Sequence, residues 1–290
     1  MRPVAGTPRE VLELLRSWVR DGGEPVVVRT SGSTGEPKDV VLSHRAVVTS
    51  ARASLDRLGG PGGWLSALPP TGVGGLQVLV RSVLAGVDPV LLDDHPDLGA
   101  AVAAVPGPRR YASLVPTQVH RLIRDGRAGV LAGLDAVLVG GAAMPADLLE
   151  SAREAGVTVV RTYGMSETCG GCVYDGIALD GVRLRVDDVG QVQIAGDVLF
   201  DGYADAEATA RVLRDGWFST ADLGEIDPDG RLRVTGRVDD VVVSGGVNVS
   251  LPAVTAAVRS MDGVEDAVAL GRPDPEWGAR VVAFVVPAPV

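Results

Sequence analysis

Apolar positions recur along this chain at two different periods. Thr7-Pro8-Arg9-Glu10 has the form of a capping box with proline at the first helical position, and Val11, Leu14, Leu15, Trp18 and Val19 then follow at helical spacing until Gly22. The pattern predicts an opening helix that serves as scaffold. Short apolar runs bounded by turn residues predict strands at 25–30, 39–43, 64–68, 88–92, 111–115, 135–139 and 157–162. Amphipathic stretches at Leu76–Leu84, Pro116–Arg124 and Pro145–Ala155 predict helices between several of them. Strands alternating with helices imply a largely parallel α/β sheet covered on both faces, with ligands at the carboxyl ends of its strands. The loops at Ser31, Gly140 and Gly164 would lie there.

After about Asp180 the apolar runs shorten and are separated by Gly, Asp and Pro. Gly190–Ile194, Val198–Phe200, Gly224–Ile226 and Arg231–Val234 predict a small antiparallel β subdomain, with Asp227-Pro228-Asp229-Gly230 as a hairpin turn. Beyond Arg237 come a Gly245-Gly246-Val247-Asn248 turn, a helix near Pro252–Ser260 and strands at Glu265–Leu270 and Val281–Val286. The expected division is therefore an amino-terminal domain over 1–236, with an α/β core to about 178 and a β subdomain over about 180–236, followed by a partial α+β unit over 237–290. No internal repeat or low-complexity segment stands out.

The densest chemistry lies in Thr30-Ser31-Gly32-Ser33-Thr34-Gly35-Glu36-Pro37-Lys38, between Val26-Val27-Val28 and Val40-Val41-Leu42. Glycines let backbone N–H groups approach a polyanion, hydroxyls add donors, and a lysine brings mobile positive charge to terminal phosphates. A flexible Ser/Gly turn is the bland alternative, disfavoured by Pro37 stiffening the exit just before Lys38. The common nucleotide loop, Gly-Lys-Ser/Thr opening a helix, is a different arrangement, because here a proline precedes the lysine and a strand follows it.

The order Thr-Ser-Gly-Ser-Thr-Gly-x-Pro-Lys resembles the phosphate loop of the adenylate-forming superfamily of acyl-CoA synthetases, peptide-synthetase adenylation domains and luciferases. Val139-Gly140-Gly141-Ala142-Ala143-Met144-Pro145 resembles its adenine-flanking turn. Thr162-Tyr163-Gly164-Met165-Ser166-Glu167-Thr168 resembles its Tyr-Gly-x-Thr-Glu segment. Gly216–Gly224 resembles the ribose-binding aspartate segment, and Thr235–Asp240 the interdomain hinge. The resemblance implies the adenylate-forming fold, with ATP, Mg2+ and coenzyme A as reactants or cofactors. It also implies roles residue by residue. Thr30, Ser31, Gly32, Ser33, Thr34, Gly35 and Lys38 would meet the phosphates. Gly140, Gly141 and Ala142 would flank adenine, and Tyr163 would stack on it within Thr162, Gly164 and Met165. Ser166 would replace the family's threonine at the phosphate, Glu167 would ligate Mg2+, Asp222 would accept the ribose hydroxyls, and Arg237 would contact ribose or phosphate. Asp239 would be the hinge. Val73, Gly74, Cys169, Gly170 and Gly171 would form the acid site.

Further blocks narrow the resemblance. Ala67-Leu68-Pro69, Gly75–Ser82, Ser113–Gln118 and Tyr163–Cys172 resemble the o-succinylbenzoate-CoA ligases of menaquinone biosynthesis. That implies ATP-dependent conversion of o-succinylbenzoate to its CoA thioester. An adenylating ligase for another aryl or acyl acid, and a non-catalytic nucleotide-binding derivative of the fold, stay open as alternatives.

Composition sets limits on partners. A net charge of −10 and a pI near 4.8 argue against nucleic acid, whose backbone needs a basic face. No apolar run is long enough to span a bilayer, and the start lacks the apolar core of a signal peptide, so membrane insertion is not expected and the cytoplasm is. A homodimer, the commonest assembly, is left open. Cys169 and Cys172 form a Cys-x-x-Cys pair without a second ligand pair, and His44, His95 and His120 lie far off in sequence. They read as reduced, small pocket-lining residues rather than a zinc or redox site.

Three departures from the family pattern bear on activity. Asp39 replaces the glycine that usually follows the phosphate-loop lysine, bringing negative charge close unless the strand turns it away. Leu68–Gly75 lacks the histidine usual in that segment. The chain ends at Val290 before the family's adenylation lysine, and Lys38 is its only lysine, so slow adenylation or none is expected.

Overall fold

The opening helix, Pro8–Asp21, starts from the capping box read in the sequence: Thr7 accepts the backbone N–H of Glu10, and the Glu10 carboxylate takes that of Thr7 at 2.8 Å. Its apolar stripe of Val11, Leu15, Trp18 and Val19 is buried. The computed structural model describes residues 1–30 and 37–288. Over these the chain divides into two compact units. Met1–Leu184, Ile194–Phe218 and Pro228–Leu232 form the first, and Arg185–Gln193, Ser219–Asp227 and Arg233–Val290 the second.

The first unit is organised by a seven-stranded sheet in the order Ile177–Ala178, Gly170–Tyr174, Val159–Met165, Ala136–Val139, Arg110–Leu114, Gly63–Ser66, Val90–Leu91. The strands from Val159–Met165 to Val90–Leu91 run parallel, while Gly170–Tyr174 returns antiparallel on Val159–Met165. Both faces are covered, as expected of a parallel sheet. Leu65, Ala112, Leu114, Val137 and Val139 pack with Val119, Leu148 and Leu149 from the helices Pro116–Arg124 and Ala146–Glu154. A separate cluster joins Val11 and Leu15 to Val47 of the helix His44–Arg57 and to Leu76 and Leu79 of the helix Val73–Ala85. Full burial of a single such leucine is worth about 1.5–3 kcal/mol.

Two sequence expectations are corrected here. The strands flanking the glycine-rich loop do not belong to the parallel sheet. Val26–Thr30 and Lys38–Leu42 pair antiparallel in a four-stranded sheet with Arg2–Pro3 and Gly202–Tyr203. A connection too short for a crossover helix forces that antiparallel return. Val198–Phe200, apolar enough to read as a strand, is instead part of a turn that leads into Gly202–Tyr203. Three helices absent from the sequence reading, His44–Arg57, Leu98–Ala104 and Ala206–Val212, begin at the side-chain caps Ser43, Asp97 and Asp205.

A third sheet orders Arg183–Val186, Gln191–Ala195, Trp217–Ile226 and Leu213–Arg214, with Leu232–Arg237 also paired to Trp217–Ile226. In the second unit, Val241–Ser244 and Val247–Ser250 form a hairpin around Gly245-Gly246, and the long strands Val264–Asp274 and Gly278–Pro287 pair across ten registered positions. The helix Leu251–Arg259 lies on these strands and seals Ala267 and Ala269.

Candidate active site

The antiparallel register of the loop-flanking strands places Thr30 opposite Lys38 and Arg29 opposite Asp39. The phosphate-loop candidates Ser31, Gly32, Ser33, Thr34 and Gly35 lie outside the described residues; Thr30 and Lys38 stand at the two ends of that hairpin connection. The negative charge of Asp39 is turned onto Arg29, whose Nε and Nη2 hold the two carboxylate oxygens at 2.8 and 3.0 Å. The guanidinium keeps the Asp39 carboxyl below its ordinary range. Lys38 directs its Nζ over the ring of Tyr203, 5.2 Å from the centroid.

Val159–Met165 carries Thr162, Tyr163, Gly164 and Met165 to the edge of the parallel part of the sheet, where the pairing with Gly170–Tyr174 shifts register between Tyr163 and Gly164. Such a bulge re-aims the side chains beside it. Glycine is required at position 164, since a Cβ there would overlap the carbonyl oxygen of Gly170. Gly140, at the end of the neighbouring strand, lies so close to Thr162 that a Cβ would overlap its Oγ1. The adenine-flanking turn and the Tyr-Gly segment are thus brought together. Gly141 takes a left-handed conformation and Ala142 is exposed beyond it.

Ser166–Thr168 forms a single 3-10 turn pinned by Thr168, whose Oγ1 accepts the Met165 N–H at 2.9 Å and bonds the Gly170 carbonyl at 2.7 Å. Ser166 is buried, whereas Glu167 is half-buried. Glu167 Oε1 accepts the Tyr203 hydroxyl at 2.7 Å, and its backbone carbonyl accepts the Phe200 N–H at 2.9 Å. Burial and the Glu167 carboxylate push the Tyr203 phenol well above its ordinary pKa, so it stays a donor. Among the described residues Glu167 Oε2 takes no hydrogen bond. No group of three or more His, Cys, Asp or Glu side chains suited to a metal occurs among the described residues either. One carboxylate with a free oxygen fits Mg2+, which ordinarily keeps waters and substrate phosphates as its other ligands.

In the second unit, Asp222 sits on Trp217–Ile226 with only 7% of its surface exposed. Its Oδ1 takes Arg237 Nη1 at 3.0 Å, and Arg237 Nη2 lies 3.7 Å from Asp239. Thr220 Oγ1 accepts the Asp222 N–H at 3.0 Å. The three residues assigned from the ribose and hinge segments therefore form one charge-paired group.

The acid-site candidates meet unevenly. A Cβ on Gly170 would lie 3.9 Å from Val73 and 3.2 Å from Gln77, so the start of Val73–Ala85 faces the strand that opens at Gly170, and Gly171 abuts Thr162. Gly74 meets Leu68 instead. Cys169, expected to line the pocket, is a correction: its side chain is fully buried in the core, and its carbonyl accepts Ser50 Oγ and Gln77 Nε2. Cys172 is equally buried, and burial pushes its thiol up to about 12 and that of Cys169 higher still.

Residues that the sequence reading passed over complete the picture. Trp64 Nε1, Ser66 Oγ, Gln77 Oε1 and Arg81 Nε are buried with no hydrogen-bond partner among the described residues. Trp64 and Ser66 share one face of Gly63–Ser66, while Gln77 and Arg81 stand four apart on Val73–Ala85, with the Arg81 guanidinium 4.9 Å from the centre of the Trp64 ring. Arg81 is 3% exposed, and burial lowers its pKa by disfavouring the charge. An unpaired buried cation is costly. Its signal in the sequence was three polar residues, Gln77, Arg81 and Ser82, inside an otherwise apolar helix.

Comparison with known proteins gives the family. Residues 26–203 match the family described as AMP-binding enzyme. A probable 2-succinylbenzoate–CoA ligase of Mycobacterium tuberculosis is 46% identical over 274 residues, covering 92% of this chain and 72% of that protein. Among solved structures, o-succinylbenzoate CoA synthetase of Bacillus subtilis in complex with the acyl-adenylate intermediate OSB-AMP superposes with a TM-score of 0.78 at 29% identity, over 91% of this chain and 60% of that one. The same enzyme with ATP and magnesium ion gives a TM-score of 0.77 at 28% identity, over 90% and 60%. The chain thus spans about three fifths of the solved structures it matches and 72% of the mycobacterial relative.

Proposed function

Because this chain belongs to the family of AMP-binding enzymes, we propose that it binds ATP and an aromatic dicarboxylic acid, o-succinylbenzoate, and serves their conversion to an acyl-adenylate and then to the CoA thioester. The attacking carboxylate is already an anion, so no general base is needed. Its oxygen bonds the α-phosphorus of ATP as the bond to pyrophosphate breaks. The thiol sulfur of coenzyme A later bonds the acyl carbon, and AMP leaves. Rate then depends on positioning and on neutralising charge around phosphorus.

The residues divide that work. Lys38 holds the terminal phosphates with Thr30 at the other end of the loop, and Ser166 donates its hydroxyl beside them. Glu167 Oε2 is the carboxylate oxygen offered to Mg2+, which when bound would neutralise phosphate charge. Tyr163 stacks on adenine, flanked by Gly140, Gly141 and Ala142. Asp222 accepts the ribose hydroxyls while Arg237 holds it in place, and Asp239 marks the hinge. Binding reports on these contacts directly, without requiring turnover.

Arg81 is the observation that carries the choice of acid. A buried guanidinium whose Nε has no partner among the described residues, one helical turn beyond the Gln77 that faces Gly170, supplies the partner that a second carboxylate needs. The test is to titrate Arg81→Met with two sulfamoyl-adenylate analogues, one of o-succinylbenzoate and one lacking the ring carboxylate. Loss of a charge-assisted bond worth about 1.5–3 kcal/mol weakens the first about 10- to 100-fold and leaves the second nearly unchanged. Equal losses would show that Arg81 acts by packing alone. A second reading, a different aryl or acyl acid, is favoured by the absence of histidine from Leu68–Gly75. It is supported if the parent protein binds both analogues equally.

A further inference from the structure

Tyr203 joins two groups of opposite charge that have reason to collapse onto each other. Lys38 and Glu167 both lie within reach of this one side chain: the ammonium over the ring face at 5.2 Å, the carboxylate on the hydroxyl at 2.7 Å. A lysine and a glutamate so placed would gain from a direct ion pair. Such a pair would occupy the charge that one needs for phosphate and the other for a cation. Here the phenol takes up one end of each interaction. Its ring satisfies the cation without an anion, and its hydroxyl satisfies one carboxylate oxygen without a cation.

The side chain is itself held firmly. Gly202–Tyr203 pairs antiparallel with the strand that begins at Lys38, with Tyr203 opposite Val40. Its N–H donates to Thr209 Oγ1 at 2.8 Å, and its ring meets Phe200 edge-on at 5.0 Å. The Phe200 N–H in turn bonds the Glu167 carbonyl. One short segment therefore fixes both the backbone and the carboxylate of Glu167.

We propose that Tyr203 is a positioning residue for nucleotide binding: its hydroxyl fixes Glu167 so that Oε2 is presented to the cation of the metal–ATP complex, and its ring keeps the Lys38 ammonium apart from that carboxylate. The inference rests on the roles given to Glu167 and Lys38 above. It assigns the phenol no contact with substrate and no part in the chemical step.

The test measures ATP affinity calorimetrically, in Mg2+ and in excess chelator, for the parent, Tyr203→Phe, Glu167→Gln and the double variant. Tyr203→Phe keeps the ring and loses the hydroxyl. It should cut the Mg2+-dependent gain in affinity about tenfold, the usual scale for an outer partner of a metal ligand, and leave metal-free ATP binding and Tm unchanged. In the Glu167→Gln background the same change should do nothing more. A parental Mg2+ gain in Tyr203→Phe, or an equal loss with and without Glu167, overturns the positioning role. A parental gain in Glu167→Gln overturns the metal reading itself, which separates the two failures. Because Lys38 is the only lysine, reductive methylation with labelled formaldehyde gives one side-chain NMR signal. It should be shifted upfield by the ring in the parent and in Tyr203→Phe, and lose that shift in Tyr203→Leu; an unshifted signal in the parent contradicts the spacer.

Discussion

Two carboxylates, one in each unit, are held in opposite ways. Glu167 is half-buried and is met by a neutral phenol on one oxygen, with no hydrogen bond to the other among the described residues. Asp222 is almost wholly buried and is met by the guanidinium of Arg237 at 3.0 Å. The difference is the one that the proposed roles call for. A carboxylate offered to a metal has to keep its full charge uncompensated until the metal arrives, and partial exposure makes that tolerable. A carboxylate that accepts neutral hydroxyls needs a fixed position rather than spare charge. At its depth it also needs a cation, because an uncompensated buried charge costs several kcal/mol.

The contrast can be broken most severely at Asp222. Asp222→Ala removes the proposed acceptor for the ribose and leaves Arg237 without its closest partner. Adenylate-analogue affinity should fall at least about 100-fold, since two bonds to a charged group are lost at about 1.5–3 kcal/mol each, while the circular dichroism spectrum stays that of the parent. Undiminished binding would show that the carboxylate is structural. Glu167→Gln tests the other half. Mg-ATP should bind about tenfold more weakly while the adenylate analogue, read without metal, binds as before. Equal losses for both ligands would remove the distinction between the two sites.

A third comparison sharpens the role of charge partners. Cys169 and Cys172, in the segment just after Glu167, have burial without a compensating cation, and both thiols are pushed up, Cys172 to about 12. A group whose pKa is raised by folding stabilises fully below its unfolded value and loses that stabilisation as pH climbs towards the folded one. Thermal stability should therefore decline from about pH 9 upward, more steeply than in a Cys169→Ala/Cys172→Ala variant, and iodoacetamide should modify the parent only on unfolding. Rapid alkylation of the folded protein at pH 8 would contradict this. The smallest effect is expected at Asp39→Asn, where the partner is the exposed Arg29. Exposed pairs contribute little, so Tm and nucleotide affinity should be unchanged. A gain in ATP affinity would mean that the Asp39 charge reaches the phosphates after all.

Much of this was legible in the residues themselves. The capping box at Thr7, the strand runs of the parallel sheet and the helix Pro116–Arg124 are local signals, and each appears where its pattern placed it. The placement of the loop-flanking strands was not, because period and length identify a strand but not the sheet it joins. Tyr203 was passed over for a related reason. Val198-Leu199-Phe200 is the more apolar run, yet it forms a turn, and the two-residue strand that follows brings the tyrosine to Glu167. Arg81 was hidden by its neighbours: an arginine in a helix reads as solvated until packing shows the surrounding face to be closed. Asp39 stood out as a departure from the family pattern, but its cross-strand partner Arg29 depended on register.

The central claim is a site for an o-succinylbenzoyl-adenylate, and calorimetric titration with the non-hydrolysable sulfamoyl analogue of that adenylate tests it without requiring turnover. The account predicts one-to-one binding with a dissociation constant well below that of ATP, lost in Asp222→Ala and weakened in Arg81→Met. ATP binding with no measurable affinity for the analogue would contradict it.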